Sequence, residues 1–547
     1  MNRKQASVLT LLSIVSFILA ILISQRLWFR LDMTKSKAYT ISAVSRNLYT
    51  EIPEEVRITY FISDKLKSVH PIPGEIEDLL REYAAFSHGR IRLFVKDPVK
   101  ANLVSAVEDL GIAGQQIETV EKDQSSIAVV YTGILIEYLD RAEVLPVVFS
   151  LSTLEYDLTS RIRSLVRGVE REAGVLVGDA GKQWNRNYPY LNQAMVQSGY
   201  RVRMISPGDE ISAGLPVLIV LGGMEDLDAW DLYRIDHYIQ RGGKVFFVLE
   251  ALSIETEGSM NVRPIQDRGL LSMVSSYGVK VAPRLVLDRA SLSVPFQTTN
   301  RNGLTQIRIV PYPFWVSIPE QFGNQDHPVS AGFAGADLFW ANPLELAPPQ
   351  GVTGTPLFTS TPDAWLMTEN FTVNPDEDYR FSDEEEITRG TRNLAAALSG
   401  KMPSFFAGKP RPVREEGEEE LPPLPGEAKE TRMVVIGDLD LSSEFIQFSR
   451  SQRNLDFCIK VLDWLGNDDD IIGIRNRSAA TGPMDKIIDP VKKAAATRFV
   501  RVFNTLFIPA VIVVLGFFIN IRRRKATSGT ARKSDVSVNQ GENGGRE

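Results

Sequence analysis

Three short stretches of this 547-residue chain place polar side chains directly after apolar runs, where phosphate binding, nucleophilic attack or carboxylate chemistry would sit. Gly178-Asp179-Ala180-Gly181-Lys182 suggests a phosphate loop by its closing Gly-Lys. That loop needs a glycine where Leu176 stands and a magnesium-holding hydroxyl where Gln183 stands, so ATP binding is not expected. Leu221-Gly222-Gly223-Met224-Glu225 occupies the place of a nucleophile elbow but offers no Cys or Ser to attack with. Gly437-Asp438-Leu439-Asp440 brings two carboxylates to a strand end, where they would bind a hydroxyl or a cation, or else cap the turn and the helix after it. In a parallel sheet all three stretches open into one crevice at the strand ends. Gly178, Asp179, Gly222, Gly223, Asp438 and Asp440 are therefore the candidate ligand site, and no catalytic residue, cofactor or metal is expected.

The remaining chemistry-bearing residues are dispersed. His70, His88, His237 and His327 show no metal-ligand spacing, and Cys458 is the only cysteine, so neither a disulfide nor a Cys-x-x-Cys redox pair is available. The acidic runs at 383–386 and 415–420 lack the alternating ligands of a calcium loop and read as solvated segments. Trp315, Phe339, Trp340 and Trp365 could stack on sugar rings, but core packing is the plainer expectation.

Hydrophobic periodicity supplies the frame. Residues 56–63 alternate as a strand, Ile76, Leu79, Leu80, Tyr83 and Phe86 repeat at helical spacing, and 91–95 form a second strand. Two further strands at 126–138 and 142–149 turn at Asp140-Arg141, and Leu154, Leu158, Ile162 and Leu165 mark a closing helix. The order β-α-β-β-β-α is thioredoxin-like. Next come a strand at 174–178, a helix over 188–198, strands at 200–205 and 217–221, a helix over 226–240 and a strand at 244–249. This alternation predicts a Rossmann- or flavodoxin-like parallel sheet, similar to class I glutamine amidotransferase domains. After a weakly patterned region the sheet resumes at 431–440, followed by a helix over 454–465.

Two uncharged runs, 6–24 and 502–521, are each long enough to cross a bilayer. Arg3 and Lys4 precede the first, and Arg522, Arg523, Arg524 and Lys525 follow the second; these cations are the topology determinants. The expected plan is a bacterial inner-membrane protein with two spans, both termini cytoplasmic and the bulk of the chain periplasmic. Its segments are a cytoplasmic start (1–5), a span (6–24), a thioredoxin-like domain (25–170), an amidotransferase-like domain (171–289 and 431–480) interrupted by an insertion (290–430), a juxtamembrane helix (481–501), a span (502–521) and a basic tail (522–547). Net charge is −7 although the tail is basic, so the part between the spans is acidic and nucleic acid is not an expected partner. The tail would meet membrane lipid.

The motifs RLDMT, YTIS, VRITYFIS and LLREYAAFSHGRIRLFVKDP, with the pair GILIEY and LEYDLTSRI, resemble the gliding-motility-type auxiliary proteins of ABC transporters, the GldG-like family. The resemblance implies a non-ATPase auxiliary subunit that packs on a separate permease with its own ATPase and couples them to an external partner or substrate. An alternative is a stand-alone envelope receptor or scaffold that binds a glycan or peptide in the strand-end crevice. A degenerate amidase in the amidotransferase-like layer is a third expectation.

Overall fold

The computed structural model describes residues 41–466, apart from 122–123, 150, 152, 169–170, 256–259, 300–304, 375–382, 414–420 and 450–451, and adds Ile474 and Phe503. Its first part is a four-stranded sheet of order β2-β1-β3-β4, built from β1 (Val56–Ile62), β2 (Ile91–Lys96), β3 (Thr132–Tyr138) and β4 (Arg141–Leu145). β1 and β2 are parallel, while β3 runs antiparallel to both β1 and β4. The pleat sends Val56, Ile58, Tyr60 and Ile62 to one face. There they meet Ile76, Leu79, Leu80 and Tyr83 of α1 (Ile72–Phe86) and Leu154, Leu158, Ile162 and Leu165 of α2 (Leu154–Arg167). Phe61 points the other way, against Val107, Ile112 and Tyr131.

The second part is a nine-stranded sheet. Its strands are β5 (Glu172–Val177), β6 (Arg201–Ile205), β7 (Val217–Leu221), β8 (Val245–Val248), β9 (Val279–Val281), β10 (Leu344–Leu346), β11 (Val352–Thr359), β12 (Asn393–Lys401) and β13 (Glu430–Ile436). They run in the order β9-β10-β12-β13-β8-β7-β5-β6, with β11 also paired to β12. β13, β8, β7, β5 and β6 are mutually parallel. Their apolar runs serve two cores by alternation. Val217, Ile219, Phe246, Val248, Val434 and Ile436 pack under Phe457, Val461 and Leu465 of α4 (Arg453–Leu465). Leu218, Val220, Val245, Phe247, Met433 and Val435 face Leu232, Ile235 and Ile239 of α3 (Ala229–Gln240).

The expected fold class needs two corrections. The sheet is mixed: β12 is antiparallel to β13, and β10 and β11 are antiparallel to β12. The physical reason is the connection. Residues 402–429 carry no helix among the described residues, and a chain that returns without a crossover must pair antiparallel. The second correction concerns the two terminal membrane helices. No helix among the described residues is long and apolar enough to cross a membrane. α1, at 15 residues, covers only about 22 Å of the roughly 30 Å required. The segments 6–24 and 502–521, apart from Phe503, lie outside the described residues, as do Arg3, Lys4 and Arg522 to Lys525. The two-span inner-membrane placement, with its cytoplasmic termini and periplasmic bulk, is therefore not carried forward.

The two sheets share one buried ionic joint. Asp463 of α4 is fully buried and pairs with the Arg171 guanidinium at the entry to β5. It also accepts hydrogen bonds from Tyr156 Oη of α2 at 2.5 Å and Tyr200 Oη at 2.8 Å. Arg171 lies over the Tyr200 ring, 4.3 Å from its centroid, and donates to the Ser198 carbonyl at 2.7 Å.

Candidate functional site

Because β5, β7, β8 and β13 are parallel neighbours, the connections after them leave at one edge of the sheet. They enclose a crevice of about 220 Å³. Asp179 and Lys182 reach it from the β5 end, Glu250 from the β8 end and Asp440 from the β13 end. Met224, Ile254, Ile265, Phe339 and Trp340 supply its apolar wall.

The glycines are what allow this edge to be compact. Gly222 and Gly223 have φ of +66° and +96°, the left-handed region that side chains avoid. The Gly223 N–H donates to Asp179 Oδ1 at 2.6 Å, which turns that carboxylate toward the neighbouring loop. A Cβ on Gly178 would stand 2.5 Å from the Gly223 Cα, backbone against backbone. Gly178→Ala is accordingly expected to cost about 1–3 kcal/mol by overpacking. A shift of the urea midpoint measures it, and an unchanged midpoint would show that the two loops separate freely.

The electrostatics are set by several carboxyls around a single ammonium. Burial pushes the Glu250 carboxyl up to about 8, with Lys182 opposing that rise and Asp440, Asp179 and Asp438 adding to it. Burial likewise raises Asp179 and Asp440 above the usual carboxylate range. Lys182 is held above its ordinary value by Asp440, Glu250, Asp179 and Glu444, which together outweigh its desolvation. Its Nζ stands 3.9 Å from Asp440 Oδ1, too long for a hydrogen bond. At the rim, Arg263 grips Glu225 through bonds of 2.6 and 2.9 Å and holds that carboxyl down at about 2. Asp226 is engaged by the Ala180 N–H at 2.8 Å.

The sequence-derived candidates divide. Asp179 and Asp440 line the crevice, and Gly178, Gly222 and Gly223 shape the adjoining turns. Asp438 does not enter it. Its buried carboxylate accepts the N–H groups of Phe339, Asp440 and Leu441 at 2.7, 2.8 and 3.1 Å, so it organises the turn. Burial pushes it well above the usual carboxylate range despite those donors. Two participants were not in the expected set: Glu250 and, behind the wall, Tyr188. Glu250 did leave a trace, a lone carboxylate closing the apolar run Val245-Phe246-Phe247-Val248-Leu249. Lys182 was noticed only as part of a failed phosphate loop, and Phe339 and Trp340 prove to be both buried and crevice-lining.

Other chemistry is kept apart. Among the described residues no group of His, Cys, Asp and Glu is placed to hold a metal ion. His88, His237 and His327 pack against Tyr49, Tyr233 and Trp464 respectively. Cys458 is buried in α4, where desolvation pushes its thiol up to about 12 and leaves it inert as a nucleophile.

Comparison with known proteins gives this edge its context. Residues 35–137 match a domain family of unknown function. An uncharacterized protein of Borreliella burgdorferi is 25% identical over 543 residues, covering 96% of this chain and all of the relative. Among solved structures, the N-terminal domain of mmIFT52 aligns with TM-score 0.31 and 14% identity, covering 54% of this chain and 96% of that domain. An exo-β-1,4-mannosidase from an Opitutaceae bacterium aligns with TM-score 0.15 and 10% identity, over 44% of this chain and 40% of the enzyme. Neither structural likeness is close enough to carry an argument about fold. The family described as an ABC-type uncharacterized transport system matches residues 170–463, from the entry to β5 through the buried carboxylate of α4. That match spans more than half of the chain, and the protein belongs to this family of ABC transporter auxiliary proteins.

Proposed function

We propose that the chain is a non-catalytic subunit of an ABC-type transport system, docking on a separate permease and ATPase and presenting its strand-end crevice to a ligand. The observation that carries this reading is the family match over 170–463, which takes in the large sheet and all four crevice-forming connections, the Gly437 to Asp440 turn included. The local chemistry agrees with a division of labour. Gly178 to Lys182 wraps around carboxylates and lacks the glycine and hydroxyl of a phosphate loop, which leaves nucleotide hydrolysis to another chain. The Gly222-Gly223 turn presents no nucleophile, and the one thiol is sealed in a helix.

The test is a mild-detergent pull-down of the full-length chain followed by mass spectrometry. A multi-span permease and a P-loop ATPase are expected in comparable amounts. Recovery of the chain without either would refute the transport reading and leave a stand-alone binding protein.

A further inference from the structure

Tyr188 is fully buried, and its hydroxyl has no hydrogen-bond partner among the described residues. An unpaired buried hydroxyl costs about 1–3 kcal/mol. The charges acting on it are those around the crevice, Asp179, Asp440, Glu250 and Glu444, and all of them oppose its ionisation. One Glu444 oxygen is likewise buried without a partner, while the other accepts from Asn187 at 3.1 Å. Glu250 lines the crevice among these charges, and among the described residues no hydrogen bond reaches its carboxyl. This edge of the sheet thus carries polar groups that the fold itself leaves unsatisfied, beside a cavity with room for a ligand of about ten non-hydrogen atoms.

The balance of charge selects the ligand. Asp226 is engaged by backbone and Glu225 by Arg263. Asp179, Glu250, Asp440 and Glu444 face one ammonium, Lys182, 3.9 Å from Asp440, while the Gly223 N–H and the Asn187 amide occupy only one oxygen each of Asp179 and Glu444. An anion would meet this excess of carboxyls unfavourably, and a metal ion lacks a ligand cluster among the described residues. Phe339 and Trp340 stand beside the carboxyls, the pairing of aromatic and acidic groups that suits an ammonium. Trp340 is held there at φ +56°, a strained conformation for a bulky residue.

We propose that the crevice binds a small organic cation, with its protonated amine among Glu250, Asp440 and Asp179 and its hydrocarbon body against Met224, Ile254 and Ile265. The Tyr188 hydroxyl and the second Glu444 oxygen, buried behind the crevice wall, are reached from the amine through bridging water. Entry of the cation favours ionised Glu250, so binding releases a proton and strengthens as pH rises from 6 toward the Glu250 value of about 8. The groups that tune this titration are Lys182 and Asp179 after β5, Asp438 and Asp440 after β13, and Arg263 at the rim. The site is independent of docking on transport partners, so each proposal fails on its own experiment.

Calorimetric titration of the full chain with putrescine, with butanediol and glucose as uncharged controls, tests the site. Putrescine is expected to bind about tenfold more tightly at pH 8 than at pH 6, a difference of about 1.4 kcal/mol. Its heat should depend on the buffer, as proton release requires. Glu250→Gln and Asp440→Asn should each weaken it about tenfold while the thermal midpoint of each variant is checked. Tyr188→Phe is the discriminating variant: it should weaken putrescine while leaving the midpoint unchanged or higher, because it deletes an unpaired hydroxyl. Absence of putrescine binding, equal binding of butanediol or glucose, or affinity unchanged in Glu250→Gln and Tyr188→Phe would overturn the proposal.

Discussion

Asp463→Ala is expected to destabilise the protein by about 3–5 kcal/mol, the usual consequence of stranding one partner of a buried ion pair. Arg171 is only 8% exposed and would keep a charge with no counter-ion, while Tyr156 and Tyr200 would lose the oxygens that receive their hydroxyl protons. Since Tyr156 lies on α2 and Asp463 on α4, the loss falls on the joint between the small sheet and the large one. Hydrogen exchange should therefore rise in β1 to β4 before it rises in β7 and β8. Urea unfolding followed by tryptophan fluorescence gives the magnitude. Pairing Asp463→Leu with Arg171→Met should recover much of it, because two apolar residues leave no uncompensated charge. A loss below about 1 kcal/mol for Asp463→Ala would mean that water reaches Arg171.

The second large effect is a pH dependence. In the native state Glu250 holds its proton up to about pH 8, whereas an unfolded glutamate releases it near 4.5. Between those values the folded protein binds more protons than the unfolded chain, so this contribution to stability is fully present below 4.5 and is lost as pH rises through 8. Asp179, Asp438 and Asp440, raised by burial, act in the same direction. His237 acts oppositely. Burial and Arg241 lower it, so its native state is short of protons only as pH falls through 6.5. Stability is thus expected to fall from pH 6.5 to 8.5, by up to about 1.4 kcal/mol per pH unit for a single group. Glu250→Gln should flatten that slope. A slope equal in wild type and Glu250→Gln would assign the effect to the aspartates.

Local patterning made several elements legible. The sequence predicts a strand at 217–221 and a helix over 454–465, and the structure has Val217–Leu221 and Arg453–Leu465. The helix expected over 226–240 starts later, at Ala229, because the Asp228 side chain accepts the N–H groups of Trp230 and Asp231 and so fixes the first turn. The strand expected over 126–138 divides at Tyr131. Gln124–Val130 pairs with Gln115–Glu121 outside the main sheet, whereas Thr132–Tyr138 pairs with β1. A continuous apolar stretch does not reveal which residues in it change partners.

What the sequence by itself determined is the set of short-range facts: which runs alternate or repeat, where glycine permits a turn, and that no phosphate loop, nucleophile elbow or Cys-x-x-Cys pair is present. Only the tertiary structure decided the mixed sheet and the composition of the crevice. The direction of β12 follows from its pairing with β13 across a 28-residue connection, a long-range choice that periodicity does not encode. Asp438 and Asp440 are equivalent as sequence, yet one bonds to three backbone N–H groups and the other faces Lys182. Glu250 reads as the polar end of a strand until Asp179, Lys182 and Asp440 are folded around it, since a carboxyl's proton affinity depends on neighbours in space that lie far away along the chain.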